Sequence, residues 1–211
     1  MKTVFGIIAI VALSIIAFFL QSNAVATPVM AGHPTVKIVL EKGHGSGFYI
    51  GNNLIITAAH VVVDAKDSKV KVKTEGGNIL KGEVLWSSKA RDVSLIRVSG
   101  TFGLSPAILS CATPKVGDAI QARGNPLSVE FLSMWGRVAG TQREMGPWLV
   151  GLPTDMTILP GMSGGPVFGA DGRVVGIAVG VLMAPAGFGS MSFTGATLIV
   201  PGSTICPLLG R

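Results

Sequence analysis

Histidine and cysteine are scarce in this chain and scattered where they occur, which removes most metal and redox chemistry at the outset. The three histidines stand at 33, 44 and 60 and the two cysteines at 111 and 206. Neither CxxC nor any other metal-ligand spacing is present, so neither a metal site nor a cofactor is expected. Acids are also few, 11 against 17 lysines and arginines, leaving a formal charge of +6. Such a balance raises the question of an anionic partner. The lysines form no block, however. Lys69, Lys71 and Lys73 alternate with Val70 and Val72, the pattern of a half-buried strand with a solvated lysine face. Aromatic residues make up only 6% and are not interleaved with the basic ones, so nothing stacks bases and no nucleic-acid partner is expected. Strong helical periodicity is missing as well.

What is present begins with one long apolar run, Val4 to Leu20, behind Lys2 and ahead of Gln21, Ser22 and Asn23. Ala24, Val25 and Ala26 supply the small-x-small pattern of a signal-peptidase site, so residues 1–26 read as a signal peptide. The run is long for a signal core and short for a span, and the alternative is an uncleaved membrane tether through residues 4–20. Either way the chain after residue 26 is exported, periplasmic or secreted. In that setting Cys111 and Cys206 form either a long-range disulfide or two buried thiols. The residues leave both readings open.

Residues 27–35 form a short leader. Beyond it come short apolar or alternating runs bounded by glycine, proline, asparagine and aspartate, six before residue 100 and six after 117. Two sets of about six strands make two small barrels or a sandwich. The turn-rich stretch 100–117 crosses between lobes at 36–108 and 109–211. The segment "MAPAGFGS", 183–190, reads as a glycine-rich surface loop.

Three residue clusters carry chemistry. In "LIITAAHVV" an apolar strand runs through small residues into His60, and an imidazole suits a general base because it titrates near working pH. In "RDVSLIRV" Asp92 sits directly before a strand that wants burial, where a carboxylate can fix an imidazole tautomer. Asp64 and Asp67 are rival carboxylates but follow His60 closely in a polar loop. In "PGMSGGPVF" Ser163 lies among glycines, ahead of an apolar strand. A solvent loop tip needs no such strand, whereas open backbone at Gly161 and Ser163 can point two amides at an oxyanion.

These blocks, "GSGFYIGNNLIITAAHVV", "RDVSLIRV" and "DMTILPGMSGGPVFGADGRVVGIAVG", resemble the His, Asp and Ser motifs of trypsin-like serine proteases of the chymotrypsin clan. The HtrA/Deg-like and viral or bacterial trypsin-like branch is the most similar. The resemblance implies an all-β fold of two six-stranded antiparallel barrels with the active site in the cleft between them. It also implies His60 as base, Asp92 as its orienter and Ser163 as nucleophile, with the amides of Gly161 and Ser163 as oxyanion hole. Thr57 and Ala58 would shape the backbone behind His60. By motif alignment, Thr157, Ile158, Leu159, Ala178, Val179, Gly180 and Val181 would line the primary substrate pocket. That lining holds no acid and no histidine, so cleavage after small or medium aliphatic residues of a protein or peptide is expected.

Two departures qualify the resemblance. Met162 stands where digestive relatives carry an aspartate that pairs with a freshly cut N-terminus, and no "IVGG"-like start is present. Activation by N-terminal insertion is therefore not expected. A PDZ domain of the kind many HtrA-like proteins carry is not expected either, and oligomeric state is left open. The rival readings are a catalytically idle fold binding partners at the membrane, and a binder of anionic partners through the basic surface.

Overall fold

The computed structural model describes residues 33–145 and 148–210. The expected signal peptide or tether, and the leader up to residue 32, lie outside the described residues. No helix among those described is long and apolar enough to cross a membrane.

The first six strands close on themselves. They are β1 (Thr35–Val39), β2 (His44–Gly51), β3 (Leu54–Thr57), β4 (Lys69–Thr74), β5 (Ile79–Ser88) and β6 (Val93–Val98). Their order β1-β2-β3-β6-β5-β4 is antiparallel throughout, and β1 pairs with β4 to complete the barrel. The local sequence explains the turns and the inside. Asn52 and Asn53 both take positive φ between β2 and β3, as a tight hairpin requires of residues that tolerate left-handed backbone. In β4, Val70 and Val72 face in while Lys69 and Lys71 face water. Val36, Ile38, Phe48, Ile55, Ile56 and Ile96 are fully buried in this half. Burying each such side chain stabilises by about 1.5–3 kcal/mol.

The second half is one seven-stranded antiparallel sheet in the order β8-β7-β11-β12-β13-β10-β9. Its strands are β7 (Ala119–Gly124), β8 (Leu132–Arg137), β9 (Arg143–Met145), β10 (Trp148–Thr154), β11 (Pro166–Gly169), β12 (Val174–Gly187) and β13 (Ser190–Pro201). A bridge between Val138 and Thr154 ties the end of β8 to β10, and the Ala139 amide donates to the Pro153 carbonyl at 2.8 Å. Six strands thus curl round on themselves, and β9 is a seventh beside β10. The sequence shows no alternation long enough to announce so short a strand.

Two further elements differ from expectation. Residues 183–187 are not a loop but the end of β12, which pairs with β13 down to Gly187 and Ser190. Only Phe188 and Gly189 turn, both at positive φ. Proline and glycine in "MAPAGFGS" read as loop signals, yet a two-stranded ribbon with few neighbours tolerates them at its edges. The chain also closes with a short helix, α1 (Gly202–Leu208). Cys206 on α1 is disulfide-bonded to Cys111 in the connection between the halves.

Candidate active site

Asp92 owes its position to an unusual backbone. It caps the 3-10 turn Lys89–Arg91 in the left-handed region, φ 51° and ψ 45°, a conformation aspartate tolerates better than most residues. The turn brings its carboxylate back toward the end of β3, where only 3% of the residue is exposed. There it accepts two hydrogen bonds from one residue. The His60 main-chain N–H donates to Oδ1 at 2.9 Å and the ring Nδ1–H donates to Oδ2 at 2.7 Å. A carboxylate can only accept, so the ring proton resides on Nδ1 and Nε2 is left as the acceptor. His60 itself lies in a 3-10 turn, Ala59–Val61, and its side chain is 45% exposed. Its neighbours Ala58 and Ala59 are buried. The rivals Asp64 and Asp67 are both exposed.

The loop 160–165 is packed onto that strand end. The Ser46 amide donates to the Ser163 carbonyl at 2.8 Å. Gly164, at φ +81°, leaves no room for a side chain: a Cβ there would collide with the Thr57 hydroxyl, the Ser46 carbonyl and the Ala58 amide. The residue after Ser163 is therefore packed against Ser46, Thr57 and Ala58, and the last two lie just before His60 in the chain. Among the described residues no hydrogen bond joins the Ser163 hydroxyl to the His60 ring.

The amides of this loop divide into two sets. Those of Met162, Gly164 and Gly165 donate to Leu159, Ala178 and Met162 carbonyls at 2.7–3.0 Å. Among the described residues the amides of Gly161 and Ser163 donate to nothing. Their directions are nonetheless set. In a trans peptide C=O and N–H point oppositely. The Pro160 carbonyl accepts from Leu127 at 3.0 Å and the Met162 carbonyl from Gly165 at 2.9 Å, so the N–H groups across those peptides face the other way. Gly161 reaches this geometry at φ +97°. Met162 is fully buried in the core of the second half, with no charge to pair.

Three residues that the sequence motifs passed over converge behind the loop. The Ser46 hydroxyl donates to the Gly161 carbonyl at 2.7 Å. The same oxygen accepts from the Asn125 amide at 2.9 Å and from Asn125 Nδ2 at 3.1 Å. The His44 Nε2–H donates to the Asn125 carbonyl at 2.8 Å. Ser46 and Asn125 are both 0% exposed. The available signal was a serine inside an apolar strand, "HGSGFYIG", where a buried hydroxyl needs partners.

The expected pocket residues separate by exposure. Ile158, Ala178 and Val179 are buried in core clusters. Thr157 is exposed, and Leu159, Gly180 and Val181 keep partial exposure. A bulge at Val179 interrupts the register of β12 against β13. Among the described residues no three His, Cys, Asp or Glu side chains gather as a metal site.

The chain is similar to known proteins over most of its length. The trypsin-like peptidase domain profile matches residues 45–177. A putative serine protease HhoA from Synechocystis sp. is 32% identical over 156 residues, which is 70% of this chain and 39% of that protein. A probable periplasmic serine endoprotease DegP-like protein from Halomonas elongata is 32% identical over 153 residues, 71% of this chain and 32% of its own length. The chain thus spans a third or so of the length of these relatives. Among solved structures, a serine endoprotease from Yersinia pestis shares the fold with a TM-score of 0.72 at 23% identity, over 85% of this chain and 62% of that one. The inactive form of the Rv3671c protease shares it at 0.71 and 21%, over 84% and 87%.

Proposed function

The chain belongs to the trypsin-like peptidase domain family, and from that premise we propose that it is a serine endopeptidase working through His60, Asp92 and Ser163. The observation that carries the reading is the pairing of a doubly anchored His60–Asp92 unit with a loop in which the amides of Gly161 and of Ser163 itself are unengaged. Asp92 keeps the proton on Nδ1, so Nε2 is the atom that takes the proton of the Ser163 hydroxyl. The oxygen attacks the peptide carbonyl, and the oxyanion formed meets the N–H groups of Gly161 and Ser163. His60 then protonates the leaving amine, and water hydrolyses the acyl-enzyme with the same ring as base. The step requires the Ser163 side chain to come within reach of Nε2 when substrate binds, a tightening common to such sites.

Specificity follows from the surfaces left accessible. Thr157, Leu159, Gly180 and Val181 offer no charge to an incoming Arg, Lys or Glu side chain, and burying one unpaired is costly. Small or medium aliphatic residues before the cut fit this lining. Export is part of the reading, supported by the 1–26 segment and by relatives named as periplasmic. Protein sequencing of the mature chain from cells should then begin at Thr27. A start at Met1 in membranes would select the tether.

The deciding experiment is labelling with a fluorophosphonate probe, followed by profiling on a peptide library. Labelling and turnover should appear in the wild type and vanish in Ser163→Ala. A wild type that neither labels nor cleaves, or a library cut chiefly after Arg, Lys or Glu, would overturn the activity or the specificity respectively.

A further inference from the structure

We propose that Ser46 is a positioning residue for the oxyanion hole, with Asn125 as the group that fixes its direction. The inference rests on the serine-endopeptidase reading above and assigns a role to a side chain that touches no substrate.

A serine hydroxyl has one proton to donate and two lone pairs to accept with. Both acceptor sites of Ser46 are taken by groups that can only donate, the main-chain N–H and the side-chain Nδ2 of Asn125. The orientation of that amide is itself settled by its surroundings. Its Nδ2 also donates to the Val36 carbonyl at 3.1 Å, and its Oδ1 accepts from the Phe131 N–H at 3.1 Å. A flipped amide would set acceptor against acceptor and donor against donor. The Ser46 proton therefore has one place to go, the Gly161 carbonyl 2.7 Å away. Two donors on the oxygen polarise the O–H, which strengthens the bond it gives.

That carbonyl belongs to the peptide linking Gly161 to Met162, the segment between the two free amides. Its own N–H is tied to the Leu159 carbonyl at 3.0 Å. Ser46 closes the other side, so the plane cannot rotate without breaking one bond at each edge. Gly161 needs such restraint more than other residues, since glycine turns freely through both signs of φ. The arrangement also fits its burial. A fully buried hydroxyl and amide are costly unless satisfied, and here both are satisfied by holding one backbone loop in place.

The test compares Ser46→Ala with wild type and Ser163→Ala in the full chain. Readouts are kcat, KM, affinity for a peptide trifluoromethyl ketone and melting temperature. Misaligning the donors, without removing them, should lower kcat by about 10–100-fold and weaken the ketone in parallel, with KM changed less than about threefold. Ser46→Cys keeps a donor, weaker and on a larger atom, and should fall between wild type and Ser46→Ala; it carries the test if Ser46→Ala does not fold. Equal kcat in a folded Ser46 variant, or a loss confined to melting temperature or KM, overturns this inference alone. A wild type without Ser163-dependent turnover overturns the underlying reading with it.

Discussion

Asp92 and Gly164 show how much of this site is decided by single backbone conformations. Asp92 reaches His60 because aspartate accepts φ 51°, and its two oxygens then serve two different N–H groups of one residue. Asp92→Asn would place an NH2 opposite one of those donors and invert the ring tautomer. The expected result is a kcat lower by roughly 10³–10⁴-fold, with little change in melting temperature, measured by peptide turnover and thermal denaturation. Gly164→Ala is the complementary case. A methyl there meets Thr57, Ser46 and Ala58 together, at a φ that L side chains rarely adopt. It should lower stability by about 1–3 kcal/mol and abolish fluorophosphonate labelling, read by denaturant melts and gel fluorescence. His60, Asp92 and Ser163 could be singled out in the sequence as candidates because each lies in a short, composition-specific motif next to a strand. Ser46 and Asn125 were not legible for a physical reason. The bonds that join them span 79 positions of the chain, which no local window contains.

At the scale of elements, alternation announced most strands correctly, since a barrel interior forces period-two burial on β4 and its neighbours. It failed where packing is one-sided or thin. The far end of β12 and β13 leaves Phe188, Met191 and Phe193 exposed, so no inside-outside pattern marks the ribbon. The loop 125–131 was equally opaque, yet it is fastened across the halves. Glu130 takes Lys37 of β1 at 3.0 Å and Lys73 of β4 at 2.6 Å. One lysine of the face expected to be merely solvated is thus in use. Hydrogen bonds from Lys73 and then Lys37 lower the Glu130 pKa below its ordinary 4.5. A carboxylate with a depressed folded pKa contributes stability above the unfolded value and loses it as pH falls through the folded one. Glu130→Gln should therefore cost stability at neutral pH and cost nothing once pH is below the lowered value. Urea denaturation of both proteins at neutral and acid pH reads the difference.

For the whole molecule, a buried histidine and the disulfide both bear on stability. His33 is pushed down to about 4 by burial and then by the nearby Arg123 charge. Its ring accepts from the Thr35 N–H at 3.2 Å and stands edge-on to Phe168. The unfolded chain takes up that proton near 6.5 and the folded one only near 4, so stability falls as pH drops through that interval. His33→Gln should remove this slope, as followed by melting temperature across the same range. Cys111–Cys206 joins the inter-lobe connection to α1 across 95 positions. Replacing both by serine should lower stability by about 2–4 kcal/mol, measured by denaturant titration against the oxidised protein.

The bonds of Asn125 to Val36 and Ser46 carry a consequence for the protein's biogenesis. They run from the later half of the polypeptide into the earlier one, so a ribosome or translocon releases the donors well after the barrel that receives them. Until residues 125 and 160–165 have followed the barrel out, the bonds from Asn125 to Ser46 and from Ser46 to Gly161 cannot form. On the proposed function, a chain stopped before residue 125 therefore lacks both Ser163 and the group that directs the Ser46 hydroxyl toward Gly161.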